Sequence, residues 1–66
     1  MRIFKVYSKK GVLRETISSD TLEGVLEKIH VENGEYVQND REQYFKLDFG
    51  FLEVFDNPFS KVVDTP

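Results

Sequence analysis

The chain contains no cysteine, which removes disulfides, thiolate nucleophiles and every cysteine-based zinc site. It contains one histidine, His30, and a metal centre needs three or four ligands. Glu27, three residues earlier, can share its helical face, but two ligands do not make a site. A lone histidine near a helix C-terminus more often complements the helix dipole. Gly11, Gly24, Gly34 and Gly50 are too dispersed for a phosphate-cradling loop. No apolar run exceeds three residues, far short of the ~20 that cross a bilayer as a helix. Met1 leads straight into a strand-like pattern rather than an apolar signal core. These absences predict a cytoplasmic protein with no metal and no cofactor.

What is present is the balance of a small globular domain. Sixty-six residues allow one domain at most, and a chain of this size buries only about 60% of its unfolded surface. Leu, Ile, Val and Phe make up 22 of the 66 residues, enough for a small core. The net charge is −3, but it is unevenly spread. Residues 1–14 hold Arg2, Lys5, Lys9, Lys10 and Arg14 and no acid, whereas the rest holds all twelve acids against Lys28, Arg41, Lys46 and Lys61. Such charges either pair across a solvated surface or polarise the molecule toward a charged partner.

The pattern along the chain predicts one α+β domain over residues 1–60, with 61–66 a frayed tail. Arg2 to Ser8 reads as a strand with Phe4 and Val6 on one face and Ile3, Lys5 and Tyr7 on the other. Lys9-Lys10-Gly11 is a turn, and Val12 to Ile17 the return strand, with Leu13 and Ile17 on the core side. Ser19 or Asp20 caps a helix whose apolar stripe is Leu22, Val25, Leu26 and Ile29. Gly24 inside it either marks a close approach to the sheet or is a surface position. Asn33 or Gly34 provides a left-handed cap at its end. Glu35 to Gln38, Gln43 to Asp48 and Phe51 to Asp56 are further strands. A bulge or turn at Gly50 resets the register between Phe45, Leu47, Phe49 and Phe51 on one parity and Leu52 and Val54 on the other.

Met1-Arg2-Ile3-Phe4 opens the first strand, a Lys/Gly turn follows near residue 10, and Ser19-Asp20-Thr21-Leu22-Glu23 leads into a helix with Val25, Lys28 and Ile29. In this spacing residues 1–34 resemble ubiquitin-like proteins. The resemblance implies a β-grasp: a hairpin, a helix packed across it, and further strands in one mixed sheet. It stops at Gly34. The terminal Gly-Gly that activating enzymes use on such modifiers is missing, which argues against a conjugated modifier, and no binding residue carries over.

No catalytic constellation stands out. Asp48, Glu53 and Asp56 lie among short strands that leave little room for a cleft in which carboxylates converge. Ser8, Ser18, Ser19 and Ser60 have no nucleophile-elbow context, and His30 is the sole base. The strongest hint is the crowding of Tyr44, Phe45, Phe49, Phe51, Phe55 and Phe59 into 16 residues, more rings than a small core takes. Phe51, Glu53 and Phe55 share one face of the last strand, and a carboxylate between two rings suits an exposed face better than a sealed one. Phe51, Glu53, Phe55 and Tyr44 are therefore the expected protein-binding residues, unless a bulge turns both rings inward and leaves Glu53 outside. The sequence predicts a non-catalytic domain that binds and modulates or inhibits a larger protein. Proteins of this kind are often encoded by phages and mobile elements against host machinery, which would place it in the host cytoplasm. One alternative is a nucleic-acid-binding module using Lys5, Lys9, Lys10 and Arg14, with Phe4, Tyr7, Tyr44 and Phe45 as stacking platforms. The other is self-association through a sheet edge, giving a homodimer.

Overall fold

The first strand, β1 (Arg2–Tyr7), alternates buried Phe4 and Val6 with exposed Ile3 and Lys5, so its two faces meet different surroundings. In the computed structural model, which describes residues 1–55 and 57–59, it becomes an inner strand of a five-stranded sheet. The other elements are β2 (Leu13–Ser19), helix α1 (Leu22–Lys28), β3 (Tyr36–Gln38), β4 (Tyr44–Leu47) and β5 (Phe51–Val54). The strand order is β2-β1-β3-β4-β5 and all four pairings are antiparallel. The mixed sheet implied by the resemblance is thus not what the described strands form. The described residues form a small, compact α+β domain with one helix and five antiparallel strands in one sheet. The expected tail, 61–66, lies outside the described residues, as do residues 56 and 60.

The core lies on one face of the sheet. Phe4, Val6, Val37 and Leu47 project from the strands, and Val25 and Val31 close over them. Ile17, Leu22, Ile29 and Phe51 pack around this cluster. Leu26, expected in the apolar stripe, is 41% exposed. A seven-residue helix buries a narrow stripe centred on Val25, and Leu26 stands at its margin, so truncating it removes less buried area than truncating a sealed core residue would.

The helix boundaries also differ from expectation. Neither Ser19 nor Asp20 is the cap: the Thr21 hydroxyl accepts the Gly24 N–H at 3.0 Å. Ser19 is buried instead and donates its hydroxyl to the Thr21 carbonyl at 2.8 Å. At the other end the chain leaves the helix at Ile29, which is extended, and not at a left-handed Asn33 or Gly34. Ile29 and Val31 then both turn into the core, which an extended chain achieves with alternate residues and a continuing helix would not. Gly34 does have a positive φ of 95°, but it serves the turn before β3, donating to the Leu47 carbonyl at 2.7 Å.

A bulge sets the outer hairpin. Val6 pairs with Glu15, but Tyr7 pairs with Leu13, leaving Arg14 as the extra residue. The inserted residue flips the parity of what precedes it. Leu13, expected on the core side, is therefore half exposed.

Candidate binding surface

Because α1 and Val31 cover one face, the other face of the sheet carries no helix among the described residues. Its residues can be read from the register. One row across the sheet runs Thr16, Lys5, Gln38, Tyr44, Val54, and the next runs Leu13, Tyr7, Tyr36, Lys46, Leu52. Three tyrosines on β1, β3 and β4 thus gather at the centre, all half-buried. The Tyr7 hydroxyl donates to Gln38 Oε1 at 3.1 Å, which ties the two rows together.

After β5 the chain returns over this face. Asn57 Oδ1 accepts the Phe59 N–H at 2.9 Å, and the Phe59 ring comes to rest among the tyrosines. Its centroid lies 4.9 Å from Tyr36 and 5.6 Å from Tyr44, edge-on to both, and 5.4 Å from Tyr7 at 45°. Such tilted and edge-to-face contacts are the favoured arrangements of aromatic quadrupoles. Gly11, with φ 89°, also packs against the ring, and a Cβ there would come within 2.9 Å of Phe59 Cδ1.

Burial, then the neighbouring Tyr7, then Glu42 push the Tyr44 phenol above its ordinary value. The folded state holds this proton more tightly than the unfolded chain does. The resulting stabilisation is fully present below about pH 10 and is lost as pH rises through the raised folded value. Titration followed by absorbance near 295 nm is expected to show a late tyrosine component, above the ordinary phenol value. Tyr44→Phe should remove that late component; its persistence would assign the shift to another tyrosine.

The anticipated protein-binding residues do not form one site. Tyr44 lies on the open face. Phe51 is opposite Leu47 and packs against the core, while Glu53, opposite Phe45 on the helix side, stays exposed and accepts from Gln43 Nε2 at 3.2 Å. Phe55 follows β5 and is 77% exposed. The Asp48-Phe49-Gly50 turn carries Phe49 at φ 56° and 93% exposed, so Phe49 leaves the face that Phe45, Leu47 and Phe51 share. Asp56, considered with Asp48 and Glu53 as a carboxylate group, lies outside the described residues.

The basic hairpin is dispersed too. The Arg14 guanidinium, redirected by the bulge, pairs with the buried carboxylate of Glu35 and reaches the His30 carbonyl. Glu35 also accepts the Glu32 N–H at 3.0 Å, so Arg14 fastens the hairpin to the turn before β3. The Lys9 side chain lies against Gly34, and with Ser8, Lys10, Glu32 and Glu35 it lines a shallow depression of mixed charge. Lys10 is exposed and Lys5 sits on the open face. Phe4, considered as a stacking ring, is sealed in the core, and Phe45 projects to the helix side. Tyr36 was missed by sequence reasoning, although its alternation with Val37 was a usable signal.

The outer edge of β5 has no paired strand among the described residues. Leu47 directs its backbone toward β3, donating to the Glu35 carbonyl at 2.9 Å. Alternation along the ladder then turns Lys46 and Tyr44 toward β5, and Phe51 and Glu53 outward. Among the described residues no helix is long and apolar enough to cross a membrane, and no three of His, Asp and Glu are grouped to hold a metal ion. Comparison with known proteins gave no matching family model, no matching curated protein and no matching solved structure.

Proposed function

We propose that this protein is a non-catalytic binding domain that docks on a larger protein through its open sheet face and modulates or inhibits it. One observation carries this reading: the helix covers a single face of the sheet, and the other gathers Tyr7, Tyr36 and Tyr44 on adjacent strands. Tyrosine supplies large, rigid contact area with a polar tip, the combination favoured at protein interfaces. The exposed Leu52 and the outer side of β5, unpaired among the described residues, extend the surface beyond the rings. The basic hairpin offers less support for nucleic acid, because Arg14 is held by Glu35 and Phe4 is buried. For the fold, the order hairpin, helix, further strands supports a β-grasp-like reading of residues 1–34, from which the antiparallel sheet departs.

Partner capture by surface variants tests the proposal. Tyr36→Ser with Leu52→Ser is expected to stay folded by circular dichroism and to lose the protein captured by the parent. Glu23→Lys with Glu27→Lys, on the exposed side of α1, should retain it. Undiminished capture by the folded sheet variant would move the interface elsewhere.

A further inference from the structure

Two lysines and one docked ring together define what the open face can receive. Among the described residues Lys5 and Lys46 are the charged strand residues of this face, and no Asp or Glu occupies a strand position on it. The strand acids Glu15 and Glu53 fall on the helix side by the same register. Neither lysine has a carboxylate partner among the described residues. A molecule of net charge −3 therefore presents a locally cationic face. Glu42, in the turn before β4, is the acid that acts on Tyr44 at its margin.

The register also fixes the spacing. Lys5 is opposite Gln38, which is opposite Tyr44; Tyr7 is opposite Tyr36, which is opposite Lys46. The lysines occupy diagonal corners of a patch three strands wide and two rows deep, with Gln38 and the tyrosines filling it. Two strand spacings of about 4.8 Å and one same-face step of about 6.8 Å put the corners about 12 Å apart. In an extended peptide, residues i and i+4 lie on one side about 13 Å apart, with i+2 midway between them. The middle of the patch already receives an aromatic ring, that of Phe59.

We propose that the open face binds an extended acidic segment of a partner protein, with an aromatic side chain midway between two carboxylates four residues apart. This rests on the open face being the docking surface. The carboxylates pair with Lys5 and Lys46, and the aromatic residue takes the place of Phe59, which competes for it. A single-stranded nucleic acid fits less well. Its phosphates need a run of cations, and the rings here meet one another at an angle, Tyr7 and Tyr44 at 47°, rather than lying flat for bases.

The test uses the full chain, isotopically labelled, and an end-blocked peptide Gly-Ser-Asp-Ser-Phe-Ser-Asp-Ser-Gly. Amide shift changes are expected along β1, β3 and β4 at the open-face positions. Replacing both Asp by Lys, replacing Phe by Ala, or placing the two Asp side by side should each weaken binding by about tenfold or more. Lys5→Glu should weaken the acidic peptide by about tenfold and improve the Lys-bearing one. Phe59→Ala should strengthen the parent peptide by about three- to tenfold, since the competing ring is gone. Absence of shift changes, or an equal response to the Lys-bearing peptide, overturns the proposal. Tighter, steeply salt-dependent binding of a short oligothymidylate at the same positions would also overturn it and identify a nucleic-acid platform. If the peptide fails while the sheet variants still lose the captured protein, the docking face stands and the ligand class falls.

Discussion

Phe4→Ala is expected to abolish cooperative thermal unfolding at room temperature and above. Phe4 is 1% exposed, faces Ile17 across the outer hairpin, and belongs to the one core cluster of the described residues. Deleting a buried phenyl ring costs about 3–5 kcal/mol, combining lost transfer energy with the cavity left behind. A domain of this length has a total stability of roughly 3–10 kcal/mol, so the substitution removes much or all of it. Phe4→Leu keeps most of the volume and should cost under about 1.5 kcal/mol. That corresponds to a fall in melting temperature of roughly 4–8 °C per kcal/mol for a domain of this size. Calorimetry on both variants checks the pair. A Phe4→Ala protein that melts like its parent would mean that the core is not assembled on this face.

Gly24→Ala is the second large effect, and its sign runs against helix propensity. In an exposed helix interior the exchange stabilises by roughly 1 kcal/mol. Here a Cβ on Gly24 would sit 2.3 Å from Ser19 Oγ and 3.3 Å from Thr21 Oγ1. Ser19 is buried, and its hydroxyl accepts the Thr21 N–H as well as donating to the Thr21 carbonyl, so it cannot swing away freely. Overpacking of this kind costs about 1–3 kcal/mol. Ser19→Ala alone loses the hydroxyl's bonds, but it also removes the obstructing oxygen. The double variant should therefore be more stable than the sum of the single effects predicts, a coupling that denaturant titration of all four proteins measures. Strict additivity would separate Gly24 from Ser19 and leave the glycine unexplained.

Much of the fold was legible because period-two and helical patterns are local. Phe4 and Val6 against Lys5 and Tyr7, the Lys9-Lys10-Gly11 turn, and a helix around Val25 can each be read within a few residues. The third and fourth strands were placed within a residue or two, Tyr36–Gln38 and Tyr44–Leu47. The misread residues were those whose fate depends on distant partners. Leu13 follows from a bulge at Arg14, and that bulge is held by Glu35, 21 residues away. The cap moved to Thr21 because Ser19 was drawn into the interior against Gly24.

The candidate surface divides in the same way. Composition and alternation alone determined that this chain makes a small α+β domain, and they grouped Tyr44, Phe51, Glu53 and Phe55 as one expected binding face. Only the tertiary structure decided that Tyr7, Tyr36 and Tyr44 meet, that Phe59 returns to cover them, and that Arg14 serves the fold while Lys5 and Lys46 remain on the open face. The physical reason is that alternation fixes which side of a strand a residue takes. It does not fix which strands become neighbours, in what register, or which face the single helix covers.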